Sequence, residues 1–222
     1  MLATGFRPDD VALVSVLSCC AQLGALDRGR TIHEYIRRNR ARRLSVYLWT
    51  GLVDMYAKCG CVGSAVEVFE ASSTKSLLTW NAIVVGVAMH GHGDLAMGYF
   101  ERMKEEGVSP DGISFLGVLV GCSHTGMVDT AKSLFEEMER VYGVERELKH
   151  YGCMADLTHG SVEVAEIAMK RLLEIDGEDS GVYSIMMDVY SAASRWEDVE
   201  RMRRLINEAK MKKRVACSLI EP

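Results

Sequence analysis

Six segments of this chain repeat one order of residues at nearly constant spacing. Each segment contains a turn residue, and these residues are Gly24, Gly60, Gly91, Gly126, Gly160 and Ser194. Successive turn residues lie 36, 31, 35, 34 and 34 positions apart. A unit of this length cannot bury its apolar face alone, so it needs the cover that a neighbouring unit supplies. We therefore expect consecutive units to stack on one another.

The residues around each turn follow a helical period. A small residue comes five positions after the turn and a bulkier one four positions later, and residues four apart share one face of a helix. The small residues are Gly29, Ala65, Ala96, Ala131 and Ala165, and the bulky ones are His33, Phe69, Phe100, Phe135 and Met169. The helix before the third turn carries an apolar stripe at Trp80, Ile83, Val84 and Val87. Since glycine tolerates the positive φ that ends a helix, we predict an all-α fold, a right-handed α-solenoid of about five to six helix-turn-helix repeats.

The composition is compatible with such a stack. Of 222 residues, 48% are hydrophobic and only three are proline, so long helices are not interrupted. No apolar run approaches the roughly 18 residues that span a bilayer, and we expect no membrane interaction. Seven cysteines favour reduced thiols over a disulfide framework, and we expect Cys19 and Cys20 to pack in the first hairpin.

Several phrases resemble the pentatricopeptide repeat family. LLTWNAIVVGVAMHGHGDLAMGYFERMKEEGVSPD, residues 77–111, is similar to a complete motif of that family. VDMYAKCG is typical of its short motifs, and the segment from AMKRLLEIDGEDS to the C-terminus resembles an E-type extension. The resemblance places four motifs at residues 10–45, 46–76, 77–111 and 112–147, followed by a hybrid shortened repeat and the E-type extension over 148–222. Mixed motif lengths indicate the plant PLS-type subclass.

Two departures from the family pattern concern missing sequence. The opening MLATGFRPD, residues 1–9, resembles the end of a motif, as MKEEGVSPD is the end of the motif at 77–111. We therefore expect an upstream repeat that is truncated here. HYGCMADL opens a short motif but runs directly into THGSVEVAE, which is similar to the second half of the next unit. About one repeat is therefore expected to be missing at this point, in a way that keeps the stack in phase.

The resemblance implies binding of single-stranded RNA, roughly one base per repeat. In the family, the fifth and the last residue of a motif select the base, and the second residue packs against it. These rules assign Asn81 with Asp111, a pair that favours uridine, and Thr50 with Ser76, a weaker pair. Val14 and Leu116 occupy the fifth position of the long motifs and have no group to read a base edge. The second-position residues are Val11, Tyr47, Leu78 and Ile113.

Charge argues for weak binding. The net charge is −5, so contacts to phosphate have to come from local basic runs. The candidates are Arg37, Arg38, Arg40, Arg42, Arg43, Lys212 and Lys213. Each run is equally compatible with a solvated surface, and acidic patches lie elsewhere in the chain. We expect a dissociation constant in the micromolar range or weaker.

Catalysis and bound metal are not expected. Some family members continue into a cytidine-deaminase-like domain, which needs a His-x-Glu and a Cys-x-x-Cys sequence, and neither occurs here. Cys59, Cys61, His90 and His92 offer the ligand types of a zinc site. However, both Cys-to-His separations equal the 31-residue spacing of the turns, so the repeat alone accounts for them. We predict no cofactor.

The resemblance implies an RNA-recognition module of an organellar RNA-processing factor, in a mitochondrion or chloroplast. Its task would be recognition of sites for C-to-U editing or intron splicing, with the long motifs and the E-type region facing protein partners. Self-association through terminal hairpins is left open. The alternative is a protein-binding helical scaffold with little RNA affinity. A third possibility is a truncated copy that folds without a task.

Overall fold

The computed structural model describes residues 8–40, 44–157, 162, 166–167, 170 and 180–218. Within these ranges the regular structure is entirely helical, which confirms the prediction of an α-solenoid. The helices are α1 (Asp10–Leu23), α2 (Leu26–Arg40), α3 (Val46–Lys58), α4 (Val62–Ala71), α5 (Leu77–Met89), α6 (Gly93–Glu105), α7 (Gly112–Thr125), α8 (Val128–Arg140), α9 (Leu148–Leu157), α10 (Ser180–Ala192) and α11 (Trp196–Ser218). No helix in this described part is long and apolar enough to cross a membrane.

Polar caps start the first helices of the first four hairpins. Asp9, Ser45, Ser76 and Asp111 precede α1, α3, α5 and α7, and each side chain accepts a hydrogen bond from a backbone N–H of the first turn. Such caps satisfy backbone donors that have no partner within the helix. The last residue of one motif therefore fixes where the next motif's first helix begins.

The predicted turn residues end these helices in the left-handed region. Gly24, Gly60, Gly91 and Gly126 have φ between 62° and 79°, and Ser194 has φ 57°. At each of these turns, the N–H of the next residue bonds the carbonyl five positions earlier, as in Ala25 N to Cys20 O at 2.9 Å, which is the Schellman arrangement. Gly160 lies outside the described residues.

The helices α1 to α9 form two layers. The first helices of successive hairpins pack on one another, in the order α1, α3, α5, α7 and α9. Each second helix packs on its own hairpin partner and on the first helix that follows, while second helices make no extensive contact with one another in the described part. A layer that is closely packed lies on the inside of a curved stack, so the first helices form the inner surface.

Small residues bring the two layers together, as the sequence predicts. Ala65, Ala96 and Ala131 are fully buried, and a Cβ at Gly29 would overlap the side chain of Met55. The apolar stripe of α5 is fully buried, and so are Phe69 and Phe100. His33 and Phe135, at the equivalent positions of the first and fourth hairpins, are only half-buried. Ala165 and Met169 lie outside the described residues.

The C-terminal hairpin has a hydrophobic cluster of its own. Its buried members are Tyr183, Met186, Tyr190, Val199 and Met202, contributed by α10 and α11. Helices α1 to α9 share one larger cluster. In the first hairpin, Cys20 is buried as predicted, but the packing prediction is wrong for Cys19, which is exposed because it lies on the opposite side of α1.

Candidate nucleic-acid interface

A groove with a volume of about 570 Å³ runs across the inner surface. The first helices α1, α3, α5 and α7 line it, and the second helices do not. Its residues are mostly apolar, with a few polar groups contributed by Ser18, Thr50, Asp54, Lys58, Asn81 and His90. An elongated concave surface of this kind, with few polar groups, is suited to binding an extended ligand.

The second-position residues point their apolar side chains into solvent. Val11 is 74% exposed, Tyr47 66%, Leu78 56% and Ile113 44%. Tyr47, Leu78 and Ile113 line the groove, and Val11 holds the equivalent position on α1. The four residues therefore form a row with one member per repeat.

Asn81 lies at the floor of the groove and meets Asp111 directly. Its Nδ2 donates to Asp111 Oδ1 at 3.0 Å, and its Oδ1 accepts from the Ser114 hydroxyl at 2.5 Å. Only 4% of Asn81 is exposed. Asp111 Oδ1 also accepts the N–H groups of Ile113 and Ser114, so one carboxylate oxygen caps α7 and holds the amide.

This network fixes which way the amide faces. A carboxylate only accepts hydrogen bonds, so the amide atom beside Asp111 has to be the nitrogen. The Ser114 hydroxyl donates to the amide oxygen on the other side. One hydrogen of Nδ2 and one lone pair of Oδ1 are left over by these contacts, which gives the groove a donor and an acceptor side by side.

Thr50 and Ser76 are joined through a third residue. Thr50 Oγ1 lies 2.7 Å from Thr79 Oγ1, and Thr79 Oγ1 lies 3.1 Å from Ser76 Oγ. Thr79 is the third residue of its motif, as Ser114 is of the next one. The two polar fifth residues, Thr50 and Asn81, thus share one arrangement of contacts.

The long motifs lack this arrangement. Val14 lines the groove, and the third residue after its motif is Leu48, a fully buried apolar side chain. The third residue after the motif of Leu116 is His150. Its Nδ1 accepts from Glu147 N at 2.9 Å, and its Nε2 donates to Gly112 O at 2.7 Å. The fifth residues of the long motifs, Val14 and Leu116, therefore offer no side-chain donor or acceptor to a ligand in the groove.

Of the predicted phosphate contacts, those whose side chains the structure describes do not line the groove. Arg37 and Arg38 lie on α2 and both bond Glu34, at 2.9 and 2.7 Å. Hydrogen bonds from Arg37 and Arg38, together with their positive charge, lower the pKa of the Glu34 carboxyl. Arg42 and Arg43, and the side chains of Arg40, Lys212 and Lys213, lie outside the described residues.

Lys58 is a groove residue that the sequence analysis missed. Its Nζ bonds Asp54 Oδ2 at 2.9 Å, one helical turn away, and both side chains line the groove. The i, i+4 spacing of opposite charges was visible in the sequence, but it usually marks a solvated helix face. Only the fold shows that this face is the concave one.

Three of the four residues with zinc-ligand chemistry, His90, Cys59 and Cys61, make other contacts. His90 Nε2 lies 2.7 Å from Ala57 O, and Cys59 Sγ lies 3.7 Å from Cys20 O. Cys61 sits at the start of α4, beside the Arg30 guanidinium at 3.8 Å. Across the residues with described positions, no group of three or more His, Cys, Asp or Glu is arranged to hold a metal ion.

Fold and groove together define a helical-repeat protein that presents a row of equivalent side chains, one per repeat. The family model described as PPR repeat matches residues 47–72, 78–108 and 113–141, and the model described as E motif matches residues 159–221. The chain belongs to the pentatricopeptide repeat family, and its mixed motif lengths with an E-type extension fit the PLS-type subclass.

Curated relatives from Arabidopsis thaliana are similar along the whole chain. Pentatricopeptide repeat-containing protein At5g61800 is 43% identical over 99% of this chain and 52% of its own length. The mitochondrial protein At2g22410 and the chloroplastic protein At1g08070 are each 38% identical over 100% of this chain, and over 37% and 34% of their own lengths. The chain therefore spans about half or less of the length of these relatives.

The alignments to the last two relatives are longer than the chain. They occupy 255 and 256 positions, whereas the chain has 222 residues. The relatives therefore have residues at 33 and 34 aligned positions, respectively, where this chain has a gap. Each total is close to the length of one repeat.

Solved structures of the family share the fold. The pentatricopeptide repeat protein PPR10 in complex with an 18-nt psaJ RNA element superposes with a TM-score of 0.70 at 19% identity, over 96% of this chain and 31% of that one. PPR10 from maize gives a TM-score of 0.54 at 18% identity, over 94% of this chain and 36% of that one.

Proposed function

We propose that this chain is a single-stranded RNA-binding module that selects bases through Asn81 with Asp111 and, more weakly, through Thr50 with Ser76. The observation that carries the proposal is the Asn81–Asp111 hydrogen bond of 3.0 Å at the floor of a groove lined by exposed apolar side chains. The RNA-bound family member with the same fold supports a nucleic-acid ligand for such a groove.

The groove suits a row of unstacked bases. Axes of packed helices lie about 8–10 Å apart, so Leu78 on α5 and Ile113 on α7 stand one such step from each other. A base placed between them would have van der Waals contact on both faces, at about 3.5–4 Å on each side. Its edge would then face Asn81 below.

The fixed amide accounts for a preference among pyrimidines. Uracil offers an acceptor at O4 beside the donor N3–H, while cytosine offers a donor at N4 beside the acceptor N3. The free Nδ2 hydrogen and Oδ1 lone pair of Asn81 complement the uracil pair. The cytosine pair would require the amide to turn over, which would bring its oxygen against the Asp111 carboxylate.

Electrostatics keep the predicted affinity low. Asp54 and Lys58, which oppose one another, are the full charges among the lining residues, and phosphate neutralisation supplies most non-specific affinity. The proposed dissociation constant is micromolar or weaker. Selection of a single site would then need contacts beyond those of these repeats, and the relatives are about twice as long as this chain or longer.

The wider role proposed is organellar RNA processing, at C-to-U editing sites or in intron splicing. The mitochondrial and chloroplastic names of relatives and the E motif match support an organelle. In this role the chain binds RNA without catalysing a reaction of its own. The long motifs and the E-type region would contact protein cofactors.

The test is selection from a pool of short randomised single-stranded RNA by the purified 222-residue chain. Enrichment of uridine at one position is expected, and Asn81→Ala should remove it, at a cost of about 1–3 kcal/mol or roughly five- to 150-fold. Asp111→Ser should also weaken it while keeping a helix cap like those of Ser45 and Ser76. Glu105→Ala on α6 is the control and should bind as the parent does. Equal effects of Asn81→Ala and Glu105→Ala would refute the proposal.

A protein-binding scaffold is the second candidate, and two observations favour it. The residues that line the groove carry almost no net charge. Of the candidate phosphate contacts, Arg37 and Arg38 lie away from the groove and are paired with Glu34. An extended apolar peptide would suit the exposed Tyr47 and Leu78. Absence of any enrichment from the RNA pool would favour this candidate.

A further inference from the structure

We infer that Ser114 is a positioning residue for base selection, because its hydroxyl locks the amide of Asn81 in the orientation that matches uracil. This inference rests on the proposed function and adds a third member to the pair that the sequence assigns. Ser114 belongs to the next motif, so the reading unit extends across the repeat junction.

The hydrogen positions support this role. Ser114 Oγ lies 2.5 Å from Asn81 Oδ1 and 3.0 Å from Asp111 Oδ1, and it accepts the N–H of Asp111 at 3.1 Å. A hydroxyl has one hydrogen to donate. Asp111 Oδ1 already accepts from two backbone N–H groups and from Asn81, so the hydroxyl hydrogen belongs to the shorter contact. Asn81 Oδ1 is thereby held on the side away from the carboxylate.

Burial makes the lock effective. Ser114 is fully buried and Asn81 is 4% exposed, so neither exchanges these contacts freely with water. A buried amide oxygen without a donor is costly, and removing the hydroxyl would leave only the Asp111 contact to orient the amide. The amide would then turn more readily when a base offers the opposite pattern.

Recurrence across repeats sets this contact apart from an ordinary helix cap. Thr79 holds the equivalent place and bonds Thr50 at 2.7 Å. After the motifs with Val14 and Leu116 at the fifth position, the same place is taken by Leu48 and by His150. His150 bonds backbone atoms only, Glu147 N and Gly112 O. A hydroxyl therefore stands at this place where the fifth residue is polar.

The experiment compares Ser114→Ala with Thr79→Ala in the full chain, using the same randomised RNA pool. Both substitutions remove a hydroxyl that accepts the N–H of a capping residue, so they weaken equivalent capping boxes. Only Ser114→Ala releases Asn81. Ser114→Thr, which copies the residue at Thr79, is the conservative variant, and thermal melting checks that each protein is folded.

The uridine-over-cytidine ratio at the position read by Asn81 should fall roughly three- to tenfold in Ser114→Ala, the range of one lost hydrogen bond. In Thr79→Ala the ratio should stay within twofold of that of the parent protein, and in Ser114→Thr it should be close to the parent value. An unchanged ratio in a folded Ser114→Ala protein would overturn this inference alone, and so would an equal fall in Thr79→Ala. A parent protein without any uridine preference would overturn the proposed function together with it.

Discussion

The central hairpins, α3–α4 and α5–α6, differ from the flanking hairpins, α1–α2 and α7–α8, in the groove and in the core at once. In the groove, the central hairpins carry Thr50 and Asn81 at the fifth position, and the flanking ones carry Val14 and Leu116. In the core, the central hairpins bury Phe69 and Phe100 fully. The flanking ones leave His33 and Phe135 half-buried at the equivalent positions.

This coincidence has a physical reason. A side chain that distinguishes donors from acceptors has to be held to within a fraction of an ångström, so its helix needs firm support from behind. In the hairpin α3–α4 that support comes from the fully buried Phe69, whose ring packs edge-on against Trp80 at 4.8 Å and against Tyr99 at 5.1 Å. Phe135 in a flanking hairpin makes one such contact, with Tyr151 at 5.1 Å, and is only partly buried. Apolar fifth residues make no such demand on the hairpins that carry them.

The largest expected effect comes from removing this support. Phe69→Ala should lower the free energy of unfolding by about 3–5 kcal/mol, because it opens a cavity and removes two aromatic contacts. Phe135→Ala is the matched variant in a flanking hairpin and should cost distinctly less, since that side chain is only partly buried. Chemical denaturation of both proteins measures the difference, and equal losses would break the comparison.

A second prediction concerns the spacing of the first helices. A Cβ at Gly86 would overlap that of Ala57, whereas a Cβ at Gly51 would lie 3.5 Å from the nearest Leu17 carbon. Gly86→Ala should therefore push α5 away from α3 and destabilise the protein by about 1–3 kcal/mol. Gly51→Ala, at the junction of α1 and α3, should be neutral or stabilising.

Thermal melting and uridine selection of both glycine variants test this spacing. Gly86→Ala should reduce selection as well as stability, because α5 carries Asn81. If Gly51→Ala were the more damaging change, the junction between central helices would not be the tighter one.

The turns and helix starts were predictable from the sequence, and part of the site was not. Gly24 stands out because left-handed backbone favours glycine. Ser194 is a non-glycine residue in the same conformation, and the repeat spacing alone reveals it. The contact of Ser114 with Asn81 joins residues 33 positions apart. In the sequence, a serine three places after a helix start is a common capping pattern and does not indicate a partner in another repeat. The half-burial of His33 depends on how the first hairpin packs, which periodicity does not specify.

A third prediction transfers the central arrangement to a flanking hairpin. Val14→Asn with Ser45→Asp places the same amide and carboxylate pair on α1 and α3, and Asp retains the cap of α3. A second enriched uridine should appear two nucleotides from the first, because the motif with Thr50 lies between the two. The enrichment should be roughly fivefold, for one hydrogen bond of about 1 kcal/mol. Val14→Asn alone is the control. The gain should stay below that at Asn81, because Leu48 offers no hydroxyl.

The smallest expected effect is a pH dependence of the free energy of unfolding that His33 in the first hairpin produces. Burial and the positive charge of Arg37 lower the pKa of His33 below its ordinary value of 6.5, with Glu34 opposing them, and the ring bonds Tyr56 OH at 2.9 Å. The unfolded chain then binds the proton more readily than the folded one, so this contribution to stability is complete above about pH 6.5 and declines as the pH falls. His33→Gln keeps a hydrogen-bonding group but does not titrate. Its free energy of unfolding should fall less than that of the parent between about pH 7.5 and pH 5.5. If the free energy of unfolding changed equally with pH in the two proteins, His33 would have the same pKa in the folded and the unfolded state, and the prediction would be wrong.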